Sequence, residues 1–147
     1  MDTSLRFYRD LLGLTVTLDA VEGAFGGDSD AYRRRAVYLR LREGPDEFFV
    51  VLDQLLDEPP RGQPPRILQL GTHHFSFWVD DVNEMVQRAM QEGFRIILLP
   101  TEADAVAYGE PAASGRVITA ILKDPDGNPV QLDQRLIESR EVPTGRT

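Results

Sequence analysis

The residues with the greatest chemical potential stand together near the middle of the chain. Its only two histidines, His73 and His74, open an alternating stretch that continues to Val79. Because successive side chains of a strand point to opposite faces, His74, Ser76 and Trp78 share one face. An imidazole, a hydroxyl and an indole on one face can contact a ligand, and the imidazole can also transfer protons. The sequence leaves two alternatives open: His74 can be a hydrogen-bonded residue of a pocket wall without a role in chemistry, and Trp78 can be plainly packed.

The composition disfavours several classes of function. The chain has no cysteine, so disulfides and thiolate chemistry are excluded, and a reducing compartment is compatible with it. The net charge of -8, from 24 acidic and 16 basic residues, disfavours nucleic-acid binding. Nucleophile motifs, phosphate loops and dinucleotide fingerprints are absent from the sequence. With no signal-peptide pattern and no long apolar run, we expect a cytoplasmic protein without nucleic-acid or membrane partners.

Periodicity predicts the elements that must position these side chains. Apolar residues three and four apart predict a helix over residues 82–92, which Asp80 or Asp81 can cap and Gly93 can end. A shorter helix is expected from about residue 4 to residue 12. Alternating or apolar runs predict strands over residues 14–18, 37–42, 48–53, 73–79, 94–99, 117–123 and 129–133.

Turn-forming residues separate these elements. The segment Asp124-Pro125-Asp126-Gly127-Asn128 joins a proline, which fixes φ, to a glycine, which tolerates a positive φ, and so predicts a hairpin. Residues 22–30 are rich in Gly and Asp, and residues 57–65 hold four prolines, so both are expected to be loops. We therefore expect one domain in which a linker, residues 57–70, joins modules 1–56 and 71–134, followed by a tail, residues 135–147.

A constant offset of 80 relates the two modules. Gly13 and Gly93 each end a helix before a strand, and Val37 and Val117 open equivalent strands. The tetrapeptides at 51–54 and 131–134 also match. This pattern predicts a duplicated module, with chance similarity of short strands as the alternative. The counterpart of strand 73–79 falls before residue 1, so the opening strand of the first module is expected to be absent.

Three segments carry a resemblance to a known superfamily. SLRFYRDLLGLTV, GTHHFSFWVDDV and KDPDGNPVQLDQ resemble the first helix and strand, the second opening strand and the final hairpin of vicinal-oxygen-chelate proteins. This is the glyoxalase, bleomycin resistance and dioxygenase superfamily, and the resemblance covers residues 4–134. It implies an α+β fold in which two βαβββ modules form a curved, partly closed mixed sheet around a cavity, with helices outside. The superfamily includes metal-dependent lyases, dioxygenases and metal-free drug binders, so the resemblance does not fix an activity.

The resemblance also implies where a metal would bind. The family takes one ligand from each of four strands, and the first of these would lie on the absent strand. The second falls at Val51, which cannot coordinate, with Asp53 as a shifted substitute; the third is His74 and the fourth is Gln131, where glutamate is usual. Divalent ions need more anionic oxygen than this set provides. We therefore expect no complete site for Zn, Ni, Mn or Fe, with His74 and Gln131 as the weak candidates.

Further cavity candidates follow from the same resemblance. Residues 101–115 form a long loop with Tyr108 and Glu110, which can close over the cavity as a lid or remain a solvated surface loop. The run Arg33-Arg34-Arg35 can receive an anionic group, or it can form a solvated strand entrance balanced by Asp28 and Asp30. The expected ligand-contacting set is His74, Ser76, Trp78, Phe49, Val51, Gln131, Asp133 and Tyr108, and no catalytic residue is assigned.

The expected function is binding of a small organic molecule in the cavity without a complete metal site. The alternative is a lactoylglutathione-lyase-like lyase or an extradiol-type dioxygenase, whose metal site an upstream strand or a partner chain would complete. A degenerate module that only dimerises is a third possibility. The missing strand would leave a sheet edge unpaired, and such an edge recruits another strand. A homodimer is therefore expected, with that edge covered by a partner segment or by residues 136–142 of the tail.

Overall fold

The computed structural model of the protein describes residues 1–23, 33–42, 44, 48–59, 62–66, 70, 72–111 and 114–136. The chain divides into two compact units: unit 1 is Met1–Gln69 with Asp124–Asn128, and unit 2 is Leu70–Lys123 with Pro129–Thr147. Each unit has its own helix and its own sheet, so the predicted α+β class is confirmed. Asp28, Asp30 and tail residues 137–147 lie outside the described residues.

Unit 1 places a helix before an antiparallel sheet, as the sequence predicts. The helix changes character midway, because the Leu12 N–H donates to the Phe7 carbonyl, five residues back, at 3.0 Å. Gly13 ends it with a φ of 78°, a value that glycine adopts without a steric penalty. The elements are α1 (Asp2–Leu5), a π-helical segment (Arg6–Leu11), β1 (Thr15–Glu22), β2 (Arg34–Arg40) and β3 (Phe49–Leu55), with the strands in the order β1-β2-β3.

A buried tyrosine fastens the predicted turn at residues 124–128 within unit 1. The Tyr8 hydroxyl donates to Asp124 Oδ2 at 2.7 Å, and both side chains are buried. Asp124 also accepts from the Asn128 backbone N–H at 2.7 Å and from its side-chain amide at 2.8 Å. The hairpin prediction is confirmed, since this turn joins two antiparallel strands. Burial, followed by the neighbouring Asp124 charge, raises the pKa of the Tyr8 phenol far above its usual range.

Arg34, the middle residue of the arginine run, lies inside the sheet, whereas Arg33 precedes β2 and is exposed at the strand entrance. β2 begins at Arg34, three residues before the predicted start, and Arg34 is only 7% exposed. Its guanidinium reaches the carboxylates of Glu22 on β1 and Asp53 on β3, each at 2.8 Å. The strand accommodates a buried cation because both neighbouring strands supply carboxylates. The flanking guanidiniums are paired as well, Arg33 with Asp57 and Arg35 with Asp19 and Asp2.

Unit 2 packs its helix against a four-stranded sheet. Asp81 caps that helix by accepting from the Glu84 N–H at 2.9 Å, and Gly93 follows the helix with a φ of 80°, as predicted. The helix contacts β5, β6 and β7. The elements are β4 (Phe75–Trp78), α2 (Val82–Gln91), β5 (Ile96–Asp104), a 3-10 segment (Ala105–Tyr108), β6 (Arg116–Lys123) and β7 (Pro129–Leu136), in the sheet order β4-β7-β6-β5.

The predicted loop over residues 101–115 is shorter than expected. β5 continues through Asp104, whose register partner on β6 is Arg116. An ion pair between Glu102 and Arg116 joins the same two strands. Polar residues on an edge strand weaken the alternation of apolar and polar residues that predicts a strand. The predicted strand therefore ended at residue 99, before the true end of β5. Only residues 105–115 separate β5 from β6.

The register corrects the constant offset of 80 between the modules. The elements recur in the same order, and β3 and β7 begin 80 positions apart, at Phe49 and Pro129. Phe49 pairs with Arg40, whereas Pro129 pairs with Lys123, so β2 and β6 correspond at an offset of 83. The reason is the tight turn at residues 124–128, which is three residues shorter than the connection over residues 41–48. Among the described residues, unit 1 has no counterpart of β4.

Candidate functional site

A buried carboxylate organises the polar side chains of unit 2. Asp133 on β7 is 1% exposed and accepts hydrogen bonds from three side chains. The Tyr108 hydroxyl donates to it at 2.7 Å, the Gln131 amide nitrogen donates at 2.9 and 3.1 Å, and the Ser76 hydroxyl makes a short contact. The three donors satisfy a carboxylate that would otherwise be costly to bury. We call these four residues the Asp133 cluster.

Strand pairing brings the Asp133 cluster together. β4 runs parallel to β7, and its register sets Ser76 beside Gln131 and Trp78 beside Asp133. Because side chains alternate along a strand, one face of the sheet carries Ser76, Trp78, Gln131 and Asp133. Leu132, which is fully buried, points to the other face. Five of the predicted ligand-contacting residues therefore lie together: Ser76, Trp78, Tyr108, Gln131 and Asp133.

Tyr108 reaches the cluster from the 3-10 segment that follows β5. Asp104 caps this segment by accepting from the Val106 N–H at 2.9 Å, and Gly109 ends it with a φ of 75°. Burial raises the pKa of the Tyr108 phenol, and its hydrogen bond to Asp133 raises the pKa further. The phenol therefore keeps its proton at neutral pH and remains a donor to Asp133.

An aromatic surface borders the Asp133 cluster. Trp78 is 43% exposed, and its ring centroid lies 6.0 Å from that of Tyr108. The Arg135 guanidinium carbon lies 4.5 Å from the centre of the Trp78 ring, within the range of a cation–π interaction. Glu110 binds the same guanidinium through both carboxylate oxygens, with one contact of 2.8 Å. Two contacts thus fasten the segment after β5 to β7, through Tyr108 and through Glu110.

Sequence reasoning missed Arg135, although a signal for it was present. The strand predicted from the sequence ends at Asp133, which leaves Arg135 in the tail, whereas β7 continues to Leu136. Extending the alternation of Gln131 and Asp133 by one step places Arg135 on the same face. The long charged side chain hid this extension because it does not look like a strand residue.

The expected pairing of His74 with Gln131 is wrong. β4 begins at Phe75, so His74 precedes the strand, and the register partner of Gln131 is Ser76. The Nδ1 atom of His74 instead lies 2.7 Å from Nδ1 of His73. In the described part of unit 2, the side-chain partners of Gln131 are Asp133 and, at 3.4 Å, the Tyr108 hydroxyl.

Three further candidates, Phe49, Val51 and Asp53, lie on one face of the unit 1 sheet. Phe49 stacks on Tyr38 with a ring separation of 5.6 Å, and Tyr38 is also the register partner of Val51. Both Phe49 and Val51 are partly exposed. Asp53 is bound to Arg34, so its role as a substitute metal ligand is replaced by an ion pair within the sheet.

The candidate residues in unit 2 do not fit a divalent ion. No group of three or more His, Asp or Glu side chains comes together anywhere in the described ranges. The Asp133 carboxylate is occupied by three protein donors, and a metal would have to displace them. Gln131 turns its amide nitrogen, which cannot coordinate, toward that carboxylate. A metal would need a different arrangement of these side chains.

Solved structures of other proteins share this fold. A glyoxalase family protein from Bacillus cereus matches with a TM-score of 0.66 at 18% identity, over 92% of this chain and 87% of that one. Glyoxalase I from Zea mays matches with a TM-score of 0.59 at 21% identity, over 91% of this chain but only 40% of its own length. An integron cassette protein from V. cholerae matches with a TM-score of 0.51 at 22% identity, over 92% and 87% of the two chains. At these identities the likeness concerns the fold alone.

The sequence itself matches a family model over most of its length. No curated protein matches the chain. Within the described residues, every helix is too short or too polar to cross a membrane. The model of the Glyoxalase/Bleomycin resistance protein/Dioxygenase superfamily matches residues 1–132 of the 147. The chain therefore belongs to the glyoxalase, bleomycin resistance protein and dioxygenase superfamily.

Proposed function

We propose that this protein binds a small organic molecule on the Asp133 face of unit 2 and does so without a chelated metal. The observation that carries the proposal is the partly exposed Trp78 beside a polar cluster whose buried carboxylate is satisfied by three donors. A large aromatic surface left in contact with water gains free energy when a flat molecule covers it. The ordered polar groups beside it can fix the orientation of that molecule.

The hydrogen bonds of Asp133 support binding rather than metal chemistry. Each bond to a charged group contributes about 1.5–3 kcal/mol. An ion that took the Asp133 oxygens would lose several such bonds before gaining its own. The cluster therefore serves as a preorganised wall of a binding site, with Ser76 as an exposed member and Trp78 exposed beside it.

The alternative function is a metal-dependent lyase or an extradiol-type dioxygenase. Glyoxalase I from Zea mays has a similar fold, which is the observation in favour of a lyase. This chain spans less than half of that protein, and the residues that the resemblance assigns to a metal are Val51, His74 and Gln131. Valine cannot coordinate, and only one of the three has a strong donor.

Two measurements on the purified full chain separate these functions. Trp78 is the only tryptophan, so its fluorescence reports on this site alone when planar aromatic compounds are added. We expect Trp78→Ala to weaken calorimetrically measured binding by about tenfold or more, the equivalent of about 1.4 kcal/mol. Phe75→Ala is the matched control, because Phe75 is similarly exposed on the same strand but points to its other face.

Elemental analysis of the same preparation tests the metal. We expect Zn, Ni, Mn and Fe far below one equivalent, also after incubation with each ion and gel filtration. One tightly held equivalent would favour the lyase or dioxygenase. Ligand binding that is equally strong in Trp78→Ala and in wild type would place the binding site elsewhere and contradict the proposal.

We propose in addition that the protein is a cytoplasmic homodimer. β3 forms one edge of the unit 1 sheet in the described part of the chain, and edge strands offer unpaired backbone groups to a further strand. In unit 2 the equivalent strand, β7, is covered by β4. Light scattering after gel filtration should give about twice the 16.5 kDa of one chain, and a stable 16.5 kDa species would contradict the dimer.

A further inference from the structure

We infer that the Asp133 face selects ligands that donate hydrogen bonds, with a planar cationic group such as an amidinium as the preferred chemistry. The inference rests on the proposed function and adds the ligand class to it. It follows from the direction of the hydrogen bonds in the cluster, from the charges around it and from the side chain that already covers Trp78.

The direction of the hydrogen bonds is fixed by Asp133. A carboxylate can only accept, so each of its three neighbours must turn a proton toward it. Ser76 and Tyr108 have one hydroxyl proton each, and both protons are used in this way. The Gln131 nitrogen uses its protons on Asp133 and, at 3.4 Å, on the Tyr108 oxygen.

Within the Asp133 cluster, the groups that remain for a ligand are therefore acceptors. The Ser76 oxygen keeps free lone pairs, and Ser76 is exposed. The Gln131 side-chain oxygen is the other acceptor, because its amide nitrogen faces the carboxylate. A ligand that presents N–H groups can bind these oxygens, whereas the oxygens of a carboxylate ligand would meet lone pairs.

The charges and the indole favour the same class. Asp133 and Glu110 contribute two negative charges to this face, and Arg135 contributes one positive charge. The face of an indole ring is negative and attracts cations. A planar cation already lies there, since the Arg135 guanidinium sits 4.5 Å from the centre of the Trp78 ring. Its side chain is 48% exposed, so the ion pair with Glu110 is weak enough for a ligand to rearrange.

Three probes of equal shape and different polarity test the inference on the full-length protein. Benzamidinium donates and is cationic, benzamide is neutral, and benzoate accepts and is anionic. Titration at pH 7, followed by Trp78 fluorescence and by calorimetry, should rank them in that order, with at least a tenfold difference in Kd between benzamidinium and benzoate. Benzoate binding as tightly as benzamidinium would overturn the inferred ligand class and leave the proposed function standing. No response of Trp78 to any of the three would overturn both.

Two variants and one control variant examine the origin of the selectivity. Asp133→Asn turns an amide N–H toward its neighbours, which frees a hydroxyl proton to point at the ligand, so the preference for benzamidinium over benzoate should fall at least tenfold. Asp126→Asn, which changes an exposed carboxylate in the turn, should leave the preference unchanged.

Ser76→Ala removes an outward acceptor without altering the buried charge. It should weaken the binding of benzamidinium about fivefold and the binding of benzoate hardly at all. A preference that survives in both Asp133→Asn and Ser76→Ala would refute the hydrogen-bond argument, and circular dichroism confirms that each variant is folded.

Discussion

The hydrogen bond between Tyr8 and Asp124 is expected to be one of the strongest single contacts of unit 1. Tyr8→Phe keeps the buried ring and removes only the hydroxyl that donates to the carboxylate at 2.7 Å. A hydrogen bond to a charged group contributes about 1.5–3 kcal/mol. Asp124 retains its two donors from Asn128, so the carboxylate is not left bare and the cost lies at the lower end. We expect a loss of about 1.5–2 kcal/mol in the free energy of unfolding.

The melting temperature should change accordingly. An unfolding entropy of about 2.1 cal/mol/K per residue gives about 0.3 kcal/mol/K for 147 residues, so Tm should fall by about 5–7 °C. Guanidinium unfolding followed by far-ultraviolet circular dichroism measures the free energy, and calorimetry measures Tm.

Tyr38→Phe is the matched control for this change. Its ring stacks on Phe49, and the stack does not depend on the hydroxyl. We expect it to alter the free energy of unfolding by less than about 0.5 kcal/mol. If Tyr8→Phe and Tyr38→Phe lose the same stability, the buried hydrogen bond does not stabilise the turn as argued.

Three further outcomes are expected. The pKa of Tyr8 is raised above the ordinary tyrosine value of about 10, so the stability linked to it is complete below about pH 10 and is lost as pH rises further. Urea midpoints should therefore fall more steeply above pH 10 in wild type than in Tyr8→Phe, and equal slopes would contradict this. Arg34→Met leaves its two partner carboxylates unpaired but partly solvated, so urea unfolding should show a loss of about 1–3 kcal/mol, below the cost of breaking a fully buried pair. Gly93→Ala places a side chain at a φ of 80° and should lower the free energy of unfolding, measured by thermal unfolding, by about 1 kcal/mol. Gly23→Ala, at an open position without a positive φ, should lower it by less than half of that.

Much of the fold could be predicted because its signals are local. The helix ending at Gly93 combines an apolar stripe, an aspartate cap and a glycine stop, and each depends on residues within a few positions. The turn at residues 124–128 likewise carries its own proline and glycine. Strand boundaries were less predictable, since Arg34 and Arg135 look like loop residues and become strand residues only beside their partners. The three-residue shift between β2 and β6 was also invisible, because pairing depends on the connection between strands as well as on their patterns.

The sequence by itself determined the superfamily, the order of the elements and the face on which Ser76, Trp78, Gln131 and Asp133 lie, since all of these follow from motifs and from the two-residue period of strands. Only the tertiary structure decided what those side chains do. The parallel register of β4 against β7 determines that Gln131 lies beside Ser76 rather than beside His74. Burial of Asp133 then fixes the direction of every hydrogen bond around it, because a buried carboxylate must be satisfied by whichever donors the neighbouring elements bring within reach.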